Sequence, residues 1–289
     1  MKYIFMVNPL AGEGKAEKCV EALKISESDE IIYEDFTKIE NFASYTEKLD
    51  PLDRLVICGG DGTLNGFVNA LGDTKIFNEI IYIPAGSGND FMHDVDRMEK
   101  DGPFIINEYI ENLPSVTVKD KKYRFVNGVG FGVDGYVCAD GNLRRAKGKK
   151  VNYILSALKG LAYAFKPVNA TVTVDGETRN YKQVWMTTTM KGRFFGGGMK
   201  ITPHQNRKDK DGKISVLIAH DLSSLKILTL FPLIFAGKHI THTDVVDIFR
   251  CHSVCVKYDS PCFLQMDGET IDNVTEYKAE SNAKEILTV

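Results

Sequence analysis

Over the first 115 positions, short apolar runs alternate with longer stretches in which apolar residues return every three or four places. The runs at 3–7, 30–35, 54–58 and 80–83 are rich in Ile, Val and aromatic residues and predict strands. The stretches 14–24, 39–48, 64–71 and 103–112 predict helices between them. This alternation predicts an α/β domain with an open, mostly parallel sheet, in which ligands gather at the carboxyl ends of the strands. Beyond that point the segments 115–118, 123–127, 170–174, 181–189, 214–219, 254–257 and 262–266 show strand-like patterning. Asp175-Gly176 between two of them signals a hairpin. A mostly antiparallel β sandwich or barrel is expected there, with helical insertions at 151–165 and 222–240. The chain therefore reads as two domains, 1–120 and 121–289, and a last strand at 285–289 could return to the first.

Composition narrows the class. Of 289 residues, 43% are hydrophobic and 26% charged, the usage of a folded chain. With 36 Lys+Arg against 39 Asp+Glu, the net charge is −3, so no nucleic-acid partner is expected. The opening apolar run is too short for a signal peptide. The stretch 225–237 contains Lys226 and Pro232 and falls short of the roughly 20 residues of a membrane span. Cys19, Cys58, Cys138, Cys251, Cys255 and Cys262 form no CxxC pair. They are expected as buried free thiols in a reducing, cytoplasmic setting.

Three loops at the predicted strand ends carry the chemistry. The strand at 54–58 runs into Gly59-Gly60-Asp61-Gly62-Thr63-Leu64-Asn65-Gly66. Its glycines allow close approach to a ligand, and the helix that follows offers N–H groups to phosphate oxygens. Asp61 would repel phosphate unless a cation or a sugar hydroxyl intervened. The strand at 80–83 runs into Pro84-Ala85-Gly86-Ser87-Gly88-Asn89-Asp90, where Asp90 could also serve as a simple helix cap. Two such loops put two carboxylates on one rim, an arrangement suited to Mg²⁺ and a polyphosphate. The first strand ends in Asn8-Pro9-Leu10-Ala11-Gly12-Glu13-Gly14-Lys15, whose spacing is not that of a Walker A loop. Gly130-x-Gly132-x-x-Gly135 fits the dinucleotide fingerprint only formally, since it lacks a βαβ context.

Segments 8–15, 59–63, 84–91, 127–135 and 266–269, in this order, resemble the diacylglycerol kinase catalytic-domain family. Bacterial lipid kinases and the sphingosine and ceramide kinases belong to it, and NAD kinases share the Gly-Gly-Asp-Gly element. The resemblance implies ATP and Mg²⁺. Asn8, Pro9, Leu10, Ala11 and Gly12 would hold the nucleotide together with Gly59, Gly60, Asp61, Gly62, Thr63, Leu64, Asn65 and Gly66. Thr37, Ser87 and Asn89 match further nucleotide-contacting positions. Asp61 and Asp90 would place the catalytic Mg²⁺, and Glu269 would be the general base. Lys208, Asp211 and Lys213 match a loop around a structural divalent ion, through the Asp211 carboxylate and the two lysine carbonyls. Thr117 stands where many bacterial members have an Asp, and Asp134 is the candidate to supply that carboxylate. Asp-Gly-Glu also occurs at 175–177, where it reads as a turn.

The implied activity is ATP-dependent phosphorylation of a lipid hydroxyl, with diacylglycerol or a related lipid as acceptor. The alternatives are a sphingoid-base or ceramide kinase, an NAD kinase-like enzyme for a soluble acceptor, and a silent nucleotide or lipid binder. The apolar segment 222–240 reads either as a wholly buried helix or as one wall of an acyl-chain cleft. The loop 194–199 is a candidate for the mouth of that cleft. Arg144, Arg145, Lys147, Lys149 and Lys150 would form a solvated loop or a peripheral contact with the inner membrane face, at about 1 kcal/mol per cation. A homodimer is left open.

Overall fold

The computed structural model describes residues 1–8, 16–23, 25–148 and 153–282. The chain divides into two compact units, Met1–Asn112 and Leu113–Val289.

In the first unit, β1 (Lys2–Val7), α1 (Ala16–Leu23), β2 (Glu30–Asp35), α2 (Phe42–Thr46), β3 (Arg54–Gly59), α3 (Asp61–Leu71) and β4 (Ile80–Pro84) alternate much as the pattern predicts. Then follow α4 (Asp90–Asp94), β5 (Phe104–Ile105) and α5 (Asn107–Ile110). The sheet order is β2-β1-β3-β4-β5, parallel except at β5. The helix expected over 103–112 is mostly absent. Phe104–Ile105 instead extends the sheet edge antiparallel to β4, and the Asn107 carboxamide accepts the Ile80 amide at 2.8 Å. Phe5, Val56 and Ile81 lie in the core on one side of the sheet. The expectation of free thiols fails at one place: Cys19 on α1 and Cys58 on β3 are joined as a disulfide, with Cα atoms 6.3 Å apart.

The second unit opens with β6 (Ser115–Val118), β7 (Lys121–Arg124) and β8 (Gly128–Gly132), then α6 (Val133–Ala146) and α7 (Tyr153–Lys159). Next come β9 (Val168–Val174), β10 (Glu177–Val184), β11 (Met186–Met190), β12 (Phe194–Phe195), β13 (Met199–Lys200) and β14 (Ile214–Ala219). The chain closes with α8 (Ser224–Phe235), β15 (Val246–Cys251), β16 (Ser253–Met266) and β17 (Glu269–Glu280). Ten of these strands form one antiparallel sheet ordered β15-β14-β11-β8-β16-β17-β6-β7, with β9 paired to both β10 and β16. Within β16, residues 254–258 pair with β9 and residues 264–266 pair with β8. The pairing with β17 shifts register around Pro261, which has no amide to donate. The two strands expected at 254–257 and 262–266 are therefore one bent strand.

Phe131, Val216, Val256 and Tyr277 fill one side of this unit. Trp185, Met190 and Leu217 form a second core with one face of α8, and the Trp185 indole donates to the Leu222 carbonyl at 2.8 Å. α8 is not wholly buried: Ile227, Leu230 and Phe231 are inside, while Leu225 and Phe235 are exposed. Residues 194–199, expected as a loop, form the tight β12–β13 hairpin. Among the described residues no helix is long and apolar enough to cross a membrane. The strand expected at 285–289 lies outside the described residues.

Candidate active site

Two parallel strands end side by side at Gly59 and Pro84, and the loops that leave them touch. A Cβ on Gly60 would stand 2.9 Å from the Gly86 Cα, and one on Gly86 would stand 2.5 Å from the Gly60 Cα. Only glycine at both places lets the loops close. The Ala85 amide donates to the Gly59 carbonyl at 2.9 Å, and the Tyr82 hydroxyl donates to the same oxygen at 3.0 Å.

Asp61, on the first turn of α3, completes the junction. One carboxylate oxygen accepts the Asp90 amide at 3.0 Å and the other accepts the Phe91 amide at 2.8 Å. The side chain expected at the metal thus also caps α4, as carboxylates do at helix N-termini. Asn89 rather than Asp90 precedes that helix, in the left-handed conformation at φ 49°, with its carboxamide closed on both backbone groups of Gly86. Asp90 is buried and Ser87 exposed. Gly62, Thr63, Leu64, Asn65 and Gly66 form the first turns of α3, of which Leu64 and Asn65 are buried. Thr37 lies just past β2, where its amide and hydroxyl both donate to Asp35 Oδ1, and Asn8 follows the end of β1. All of these occupy the carboxyl edge of one parallel sheet. Pro9, Leu10, Ala11 and Gly12 lie outside the described residues.

Glu269 belongs to the second unit, at the start of β17 and exposed. The turn before it is Asp267-Gly268, with φ 48° and 93°. Sequence reasoning passed over Asp267. Its buried carboxylate accepts the amides of Val126, Asn127 and Gly128 at 2.5, 2.8 and 2.9 Å. Arg207 then donates to the Val126 carbonyl at 2.9 Å and to Asn127 Oδ1 at 3.1 Å. Three amides on one carboxylate fix the turn and hence the backbone that presents Glu269. The signal was the left-handed Asp-Gly pair flanked by Met266 and Glu269, read only for its glutamate. Thr117 stands in β6, paired with Lys278 of β17.

Asp134 is fully enclosed beside β8. It accepts from the Gly135 amide at 2.9 Å, the Thr188 hydroxyl at 3.1 Å and the Gln265 carboxamide at 3.5 Å. Burial, only partly offset by these bonds, pushes its carboxyl up to about 7. The glycines of the formal fingerprint have packing roles. Gly130 and Gly132 lie against β11, and Gly135 lies against the Phe263 carbonyl.

Of the cationic run, Arg144 lies in the last turns of α6 and pairs with Asp140 at 2.7 Å, so the run begins in a helix rather than a loop. Lys147 is exposed, the side chain of Arg145 is not described, and Lys149 and Lys150 lie outside the described residues. In the loop of Lys208, Asp211 and Lys213, the Asp211 carboxylate meets the Arg250 guanidinium at 3.1 Å.

Among the described residues, no group of three or more His, Cys, Asp or Glu is arranged to hold a metal ion. Mg²⁺ bound with a polyphosphate needs only one or two carboxylates, the rest of its ligands being phosphate oxygens and water. The neighbouring Asp61 and Asp90 at the mouth of two glycine loops fit that demand.

Residues 2–115 match the model of the diacylglycerol kinase catalytic domain, and residues 127–283, more than half of the chain, match that of the YegS C-terminal NAD kinase beta sandwich-like domain. The chain is 29% identical over 249 residues to the "Putative lipid kinase YtlR" of Bacillus subtilis, covering 80% of this chain and 78% of that one. It is 26% identical over 271 residues to the diacylglycerol kinase of Mycobacterium tuberculosis, with 89% and 85% covered. A Bacillus anthracis diacylglycerol kinase structure shares the fold at TM-score 0.64 and 19% identity, covering 98% of this chain and 95% of that one. Yeast NADH kinase shares it at TM-score 0.53 and 11% identity, covering 99% and 79%.

Proposed function

The chain belongs to the diacylglycerol kinase catalytic-domain family, a lipid kinase family, and from that premise we propose that it transfers the γ-phosphate of ATP to the hydroxyl of diacylglycerol or a related lipid. The observation that carries this reading is the pair of glycine loops fastened by Asp61 at the carboxyl rim of the parallel sheet. Their backbones can come close to a polyphosphate, and the first turn of α3 offers amides to its oxygens. Asp61 and Asp90 would hold Mg²⁺, which when bound with ATP neutralises charge on the β- and γ-phosphates. Glu269 takes the proton of the attacking hydroxyl, and its exposed position leaves it open to an incoming acceptor. Catalysis of this kind rests on positioning and electrostatics.

The exposed Leu225 and Phe235 of α8 support an acceptor with acyl chains. The enzyme would be cytoplasmic and meet its lipid at the inner membrane face, the segment from Arg144 to Lys150 making peripheral contact. Labelled ATP offered with diacylglycerol, monoacylglycerol, sphingoid base, ceramide or NAD tests the reading. Transfer to diacylglycerol or monoacylglycerol is expected. Transfer to the sphingoid base or ceramide moves the enzyme to the sphingolipid branch, and transfer to NAD alone makes it a soluble-acceptor kinase. ATP binding without transfer makes it a silent binder.

A further inference from the structure

The segment Lys208-Asp209-Lys210-Asp211-Gly212-Lys213 is where the family resemblance asks for a structural divalent ion, and the geometry there assigns the cationic role to a side chain. Arg250, on β15, places Nη2 2.7 Å from Asp209 Oδ2 and 3.2 and 3.1 Å from the two oxygens of Asp211. The Lys213 carbonyl, a second group a metal would need, is also engaged. The Lys213 amide donates to Asp211 Oδ1 at 3.1 Å, and the Lys213 carbonyl accepts from Gln205 Nε2 at 2.8 Å. Asn206 closes the near end of the loop, its side-chain Oδ1 accepting the Lys208 amide at 3.1 Å and its Nδ2 donating to Asp209 Oδ1.

These donors do not fit a divalent ion. A hard cation of this kind gathers about six oxygens. Here a guanidinium, charged at every physiological pH, already sits against both carboxylates. We propose that Arg250 stands in for the structural ion, so that the 208–213 loop holds its shape without divalent metal. The loop's order bears on the site through its neighbour Arg207, which reaches Val126 and Asn127 and so braces the strand end on which Asp267 is buckled. Arg250 is in this sense a positioning residue. The inference concerns the loop alone and stands whichever acceptor the enzyme uses.

The test is thermal unfolding of the full chain without nucleotide, in chelator and then in millimolar Mg²⁺ or Ca²⁺, beside Asp211→Asn and Arg250→Gln. An ion held at a hundred times its dissociation constant would raise the midpoint by roughly 5–10 °C. The wild type is expected to shift by less than about 1 °C on this scale, or by an amount that Asp211→Asn leaves unchanged because the ion sits elsewhere. Arg250→Gln, with the loop's carboxylates released, is expected to melt lower in chelator and to recover in Ca²⁺, with saturable terbium luminescence beyond any that the wild type shows. A wild-type shift in the 5–10 °C range that Asp211→Asn abolishes would overturn the proposal. So would an Arg250→Gln protein as indifferent to divalent ions as the wild type. Should Arg250→Gln fail to fold, the wild-type comparison with Asp211→Asn decides alone.

Discussion

Asp134→Asn isolates one buried proton. In the native unit the carboxyl holds its proton up to about 7, against an ordinary 3.8. Between those values the folded state carries a proton that the unfolded chain has released, so stability falls as pH rises, by about 1.4 kcal/mol per unit. Across the whole window the loss is about 4 kcal/mol, complete once pH has passed the folded value and absent below the unfolded one. Asparagine keeps the shape and mimics the protonated acid: its carbonyl can still take the Gly135 amide, while the Thr188 hydroxyl and Gln265 carboxamide can each reverse donor and acceptor roles. Urea unfolding followed by the fluorescence of Trp185, the single tryptophan and buried in the same unit, reads the difference. Measured from about pH 4 to pH 8, the variant should gain on the wild type steadily with pH, the difference growing by about 4 kcal/mol and then levelling. Other titrating groups cancel in that comparison. Parallel pH profiles for the two proteins would refute the argument.

Glu269→Gln should lower turnover roughly 10²–10⁴-fold while the unfolding midpoint stays put, since the side chain is exposed. Glu177→Gln, at the other Asp-Gly-Glu, should change neither, and an activity loss there would confuse the assignment of the base. Asp61→Asn replaces one of two amide acceptors with a donor, so an unfolding titration should show about 1–3 kcal/mol lost in addition to activity; full stability with lost activity would make Asp61 purely chemical. Gly86→Ala drives a methyl into the Gly60 backbone and should destabilise by about 1–3 kcal/mol, measured in the same way.

β1, β3 and β4 of the first unit were legible because each is short, apolar and followed by a loop of small residues, and β2, like β6 of the second unit, falls where the pattern put it. Periodicity failed where a contact distant in sequence decided the outcome. Phe104 and Ile105 look helical in isolation, yet they pair with Ile81 and Tyr82 at a sheet edge. The glycine pattern at 130–135 fits the dinucleotide fingerprint only formally, and residues 128–132 form a fully buried strand paired with residues 186–190. Asp61 and Glu269 could be singled out as candidates because their motifs are local. The Asp267 buckle and the Arg250 clamp were invisible, since each joins residues far apart in the chain and no local spacing encodes them.

β16 is shared property in the second unit: β8, β9 and β17 all draw their ladder bonds from it. Opening that strand would cost all three of them a partner at once, so its release has no inexpensive route. The amides of 254–258 and 264–266 should then exchange with solvent in a single cooperative event, at a free energy near that of global unfolding. A turn mounted on the end of that strand inherits the same reluctance to open, and Glu269 is carried on ground that either stands entire or is gone.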